Sequence, residues 1–153
     1  MKVSAGLLLF RKTKNGIEVL LAHPGGPFFQ NKDDGAWTIP KGVAETDEEL
    51  LQRARIEFQE ELGIEPPSAN AISIGSVRQK GGKTVHAWAV EGDLPNAFEA
   101  QSNTFDLEWP PRSGKMQSFP EVDRVQFFSL EEAARKINPA QKEFLDRLDQ
   151  LLQ

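Results

Sequence analysis

The sequence predicts an α/β/α sandwich in one domain: a mixed β-sheet flanked by helices. Three observations predict it. The chain of 153 residues suits a single domain with its own core. Short apolar runs bounded by turn residues lie before and after a central amphipathic stretch. Further helical patterns close the chain, enough to cover a sheet on both faces.

Residues 3–10 (VSAGLLLF) and 17–23 (IEVLLAH) read as strands joined by the polar turn Lys12-Thr13-Lys14-Asn15-Gly16. Residues 24–36 (PGGPFFQNKDDGA) read as a loop, and Trp37-Thr38-Ile39-Pro40 as a short strand. Thr46 is expected to start a helix running to about Leu62. Thr46 and Glu49 have capping-box spacing, and Asp47, Glu48 and Glu49 suit the positive end of a helix dipole. Gly63 is placed as the helix stop, and Pro66-Pro67 blocks continuation. Strands follow at 71–79 and 83–91, with Lys80-Gly81-Gly82 as their turn. Residues 93–120 read as one long irregular segment, a length that marks a functional or mobile loop. Residues 124–129 read as a last strand, and 130–136 and 139–152 as two closing helices. The second closing helix carries Phe144, Leu145, Leu148, Leu151 and Leu152 on one face.

Composition narrows the function class. The absence of cysteine excludes disulfides and thiolate metal sites and fits a reducing compartment. The N-terminus has no basic region followed by a long apolar run and a cleavage site, and no stretch is long enough to span a bilayer. A cytoplasmic protein without a membrane partner is expected. A net charge of −5 argues against a duplex nucleic-acid binder, whose electrostatic footprint is basic. It leaves a phosphate substrate open, because a bound cation reverses the local sign.

The strongest chemical signal lies in the helix expected over 46–63. At about 100° per residue, Leu50, Leu51, Ala54, Phe58 and Leu62 form one stripe that should face the core. Glu57, Glu60 and Glu61 cluster beside it at i, i+3 and i+4, where like charges repel. Two readings follow: a solvated acidic face, or a site for a hard cation such as Mg²⁺ that takes oxygen ligands.

The stretch Gly42 to Ile64 resembles the Nudix box: glycine, five residues, glutamate, seven residues, then Arg-Glu-aliphatic-x-Glu-Glu-x-Gly-aliphatic. Gly42, Glu48, Glu57, Phe58, Glu60, Glu61, Gly63 and Ile64 fall in register. The stretches HPGGPFF, DDGAWTIPKG, GGKTVHAWA, SNTFDLEWPPRSG and FPEVDR are similar to uncharacterised bacterial nucleotide pyrophosphohydrolase-like members. The resemblance implies the Nudix fold over nearly the whole chain. It further implies divalent-metal-dependent hydrolysis of a diphosphate linkage in a nucleoside diphosphate joined to another moiety. The implied cofactor is Mg²⁺ or Mn²⁺, held by Glu57, Glu60 and Glu61 with the backbone carbonyl of Lys41. The implied partner is a nucleotide-like small molecule, with the chain a monomer or homodimer.

One position departs from the box. Ile56 stands where the family has an arginine that orients the glutamate matching Glu57. Arg53, or secondarily Arg55, is expected to take over part of that role; the plain alternative is a surface arginine and a weakened enzyme. The resemblance makes the general base either Glu57 or an acid outside the box. Glu121 is the first such candidate, with Glu108 and Asp123 behind it.

Substrate contacts are sought at Lys41, Arg78, His86, Trp88 and Arg112, with Lys80, Lys83 and Lys115 as further cations. Each has an ordinary surface or half-buried alternative, and so do His23, Phe28, Phe29 and Trp109. The opening strands and the Trp-x-Ile-Pro-Lys-Gly run are similar to dinucleoside tetraphosphate hydrolases, so dinucleoside polyphosphates lead the substrate classes. Nucleoside triphosphates come next. A catalytically weak or inactive nucleotide sensor is the competing class, kept open by Ile56, and a purely structural interaction domain comes last.

Overall fold

The computed structural model describes residues 2–153. Eight strands and three α-helices run β1 (Val3–Thr13), β2 (Gly16–Pro24), β3 (Lys41–Val43), α1 (Leu50–Leu62), β4 (Ile72–Arg78), β5 (Thr84–Glu91), β6 (Thr104–Glu108), β7 (Met116–Pro120), β8 (Val122–Ser129), α2 (Leu130–Lys136) and α3 (Lys142–Leu152). The main sheet has the order β4-β5-β1-β2-β8, with β3 paired to the start of β1. β1 and β5 are parallel and the other pairs antiparallel, so the sheet is mixed, as expected.

Burial follows the strand period. Leu8 and Phe10 of β1 join Val19 and Leu21 of β2 under α2 and α3. Ala5, Leu7 and Leu9 join Leu20 under Ala54, Phe58 and Leu62 of α1. Alternate residues of one strand thus serve two cores, one on each face. Phe144, Leu145 and Leu148 are buried as predicted, while Leu151 is exposed. Among the described residues, no helix is long and apolar enough to cross a membrane.

The first two strands are longer than their apolar runs, because ladder pairing continues through Arg11↔Glu18 to Thr13↔Gly16. Trp37-Thr38-Ile39-Pro40 is not a regular strand. Trp37 and Thr38 make single bridges to Ile137 and Ala22, and regular pairing begins at Lys41.

The central helix starts at Leu50, not Thr46. Asp47 adopts a left-handed φ of 68°, which breaks helical continuity, and the side chain of Glu49, the residue before the helix, makes no capping bond. Glu48 instead accepts the Glu45 amide at 2.9 Å and the Arg53 guanidinium. Gly63 closes the helix as predicted, at φ 80°, with its amide on the Gln59 carbonyl at 2.8 Å.

Residues 93–120 are only partly irregular. They contain the β6–β7 hairpin, with Phe105 opposite Phe119, held apart from the main sheet as a two-stranded arm. The final strand starts at Val122, two residues earlier than the apolar run indicated.

Candidate active site

Packing sets the rotation of α1. Ala54, Phe58 and Leu62 face the sheet, which leaves Glu57, Glu60 and Glu61 along the flank of the helix near β3. Gly42 of β3 lies directly against Glu57. A Cβ at Gly42 would fall on the Glu57 carboxylate, so only glycine lets strand and carboxylate meet.

The site is crowded with negative charge. Glu61 is 9% exposed. Burial first, and then the charge of Glu57, push its carboxyl up to about 8, against the pull of Lys41. Burial likewise raises Glu57, with the hydrogen bond and charge of Glu60 adding to it and Arg53 opposing. The Lys41 ammonium is lowered by burial, while Glu61 acts to restore it.

This donor set fits a hard divalent cation. Acids forced upward by burial and by each other gain most when an ion neutralises them. Among the described residues, no three such side chains already converge on a single point. An ion here would therefore complete its shell with water or substrate oxygens.

Arg53, one turn before Glu57, contacts both Glu48 and Glu57. Its Nε donates to both Glu48 oxygens, at 3.0 and 2.9 Å, and its Nη2 lies 2.8 Å from Glu48 Oε2. Its Nη1 reaches Glu57 Oε2 at 3.2 Å. The guanidinium holds the Glu48 carboxyl below its ordinary range. Arg55 turns away, donating to the Pro67 carbonyl at 3.0 Å.

Of the acids outside the helix, Glu121 comes near the cluster. Burial and then the charge of Glu60 raise its carboxyl, and its own charge contributes to raising Glu61. Its main chain is fastened twice: its amide donates to the Asn103 carbonyl, and its carbonyl accepts the Gly25 amide, both at 2.9 Å. Asn103 in turn donates to the Glu60 carbonyl at 2.9 Å. Glu108 instead accepts the Arg112 and Gly114 amides at the tip of the β6–β7 hairpin.

The remaining candidates are dispersed. His86 is half-buried and lines a cleft of about 480 Å³ with Lys2, Val43, Glu45 and Glu48, next to the carboxylate helix. Trp88, on the same face of β5, packs against the core under α1. Arg78 is exposed at the end of β4, and Arg112 is exposed beyond β6. Phe28 lies edge-on to Trp109 with centroids 5.5 Å apart, and Phe28 is 60% exposed. His23 is fully buried, with Nδ1 2.8 Å from Asp123 and Nε2 2.7 Å from the Lys32 carbonyl. Sequence signalled only an apolar strand end before a proline, and nothing there pointed to a partner 100 residues away.

The family model described as NUDIX domain matches residues 1–148. No curated protein matches the chain in sequence. Among solved structures, the chain is similar to a C. elegans Ap4A hydrolase in a binary complex, at 22% identity and TM-score 0.69, covering 97% of each chain. It is also similar to the NUDIX domain of Shewanella oneidensis NrtR complexed with ADP ribose, at 17% identity and TM-score 0.65, covering 99% of this chain and 88% of that one. The E. coli ORF135 protein matches at 26% identity and TM-score 0.58, covering 99% and 92%.

Proposed function

Because the chain belongs to the Nudix family of hydrolases, we propose that it hydrolyses the diphosphate linkage of a nucleoside diphosphate joined to another moiety, with dinucleoside polyphosphates the leading class. The observation that carries this reading is the seat of Glu57 on Gly42, beside Glu60 and a buried Glu61. That arrangement leaves three clustered carboxylates in need of a cation. The substrate class draws on the overall likeness to the C. elegans Ap4A hydrolase fold.

Glu57, Glu60, Glu61 and the Lys41 carbonyl are the groups that would hold Mg²⁺ or Mn²⁺. When bound, such an ion neutralises diphosphate charge and makes a coordinated water more acidic. The chain's own residues then have separate tasks. Arg53 orients Glu57 through the hydrogen bond at 3.2 Å and is itself fixed by Glu48. Glu121 is the proton acceptor for the attacking water, its carboxylate suited by a raised proton affinity. The Lys41 ammonium, on the strand that opens the site, offers a point charge to a substrate phosphate. His86 lines the adjoining cleft and would contact the group attached to the diphosphate.

The test is product release from a panel of dinucleoside polyphosphates, nucleoside triphosphates and ADP-ribose, with and without Mg²⁺ or Mn²⁺, beside Glu60→Gln. Metal-dependent turnover lost in that variant supports hydrolysis. Nucleotide binding without turnover across the panel would instead assign a sensor.

A further inference from the structure

We propose that His23 and Asp123 are positioning residues for the reaction, a pair buried at its His23 end that fixes the start of β8 and with it Glu121. This rests on the assignment of Glu121 as proton acceptor. The Lys32 carbonyl can only accept, so His23 Nε2 must carry its hydrogen toward it. Nδ1 then faces the Asp123 carboxylate at 2.8 Å. The His23 side chain has no exposed surface, while that of Asp123 is 32% exposed. Losing Asp123 removes the partner of a ring nitrogen that the fold otherwise buries.

A second observation concerns the ladder. His23 pairs with Arg124 and Pro24 with Val122, so Asp123 is the extra residue of a bulge in β8. Bulges turn a side chain out of the strand alternation. Here the bulge brings Asp123 onto the buried imidazole. On the other side of Glu121, Gly25 packs so closely that a Cβ would fall on the Pro120 carbonyl. The Gly25 amide holds the Glu121 carbonyl at 2.9 Å. Glu121 thus sits between two ties to the 23–25 segment, one through its own carbonyl and one through Asp123.

The experiment compares Asp123→Ala and Asp123→Asn in the full chain, alone and combined with Glu121→Gln, on diadenosine tetraphosphate and ATP with Mg²⁺. Deuterium exchange at the Gly25 amide is followed in the metal-free protein. Asp123→Ala should lower kcat about tenfold, the scale of one lost hydrogen bond to a charged group, with KM changed less than about twofold. It should also speed Gly25 exchange. Asp123→Asn should restore both, because an amide donates to Nδ1 of a neutral imidazole. In the Glu121→Gln background, Asp123→Ala should cost nothing further. An equal loss in that background, unchanged Gly25 exchange in Asp123→Ala, or no rescue by asparagine overturns the positioning role alone. Full activity in Glu121→Gln itself overturns the proton-acceptor assignment and this inference with it.

Discussion

Arg53 bridges two glutamates of the acidic motif, with Glu48 Oε2 at 2.8 Å and Glu57 Oε2 at 3.2 Å from different nitrogens of one guanidinium. The bridge starts from the helix turn before Ile56, so a guanidinium is supplied to Glu57 from another position on the same flank. Arg53→Ala should lower kcat by roughly one to two orders of magnitude, the equivalent of losing charge-assisted bonds worth about 1.5–3 kcal/mol. Arg55→Ala removes only bonds to backbone carbonyls beyond the helix and should leave kcat within about threefold. Steady-state kinetics on both variants decides it; equal, small effects would sink the role of Arg53.

Gly42→Ala tests the close approach directly. The added methyl cannot coexist with the Glu57 carboxylate, so that side chain must move off the strand. Activity should fall sharply while stability drops by only about 1–3 kcal/mol, the usual cost of overpacking. Retained turnover with a lowered melting temperature would show that the approach matters to folding and not to chemistry.

Glu61 sets a pH dependence for the metal-free protein. Its folded-state value, about 8, is above the ordinary 4.5 of the unfolded chain. The folded state therefore binds the proton more tightly. This contribution is fully present below about pH 4.5 and is lost as pH rises through about 8, with a slope of at most about 1.4 kcal/mol per unit. Urea denaturation with a chelator should show declining stability across this window. Glu61→Gln should flatten the decline, and added Mg²⁺ should stabilise most at its upper end. A slope unchanged by Glu61→Gln removes Glu61 as its source.

Gln141 is fully buried, and its Oε1 accepts the Ile39 amide at 3.0 Å while its Nε2 donates to Thr38 at 2.8 Å. It takes the place of a strand partner for the irregular 37–40 segment that leads into β3. Gln141→Ala should destabilise by about 1–3 kcal/mol through the orphaned amide. That loss should lower the melting temperature by several degrees in a calorimetric scan. A variant as stable as the unaltered chain would mean that water or a neighbour satisfies Ile39.

The periodic parts of this fold were legible in the linear chain. Short apolar runs bounded by turns became β1, β2, β4 and β5, and the stripe Ala54, Phe58, Leu62 became the core face of α1. The placement of Glu57, Glu60 and Glu61 on one flank followed from helix geometry alone. Local capping rules failed at Thr46, because Asp47 takes a left-handed conformation and Arg53 claims Glu48. The β6–β7 hairpin escaped notice because its half-exposed strands carry a weak apolar alternation.

By itself, then, the sequence determined the fold class, the order of most elements and the register of the acidic motif, since these depend on neighbours within a few residues. Only the tertiary structure decided which groups meet across long separations. Gly42 against Glu57, Glu121 near Glu60 and Glu61, and His23 on Asp123 all depend on how strands and helix pack. The elevated proton affinity of Glu61 belongs with them, because burial and the approach of another carboxylate arise only after folding.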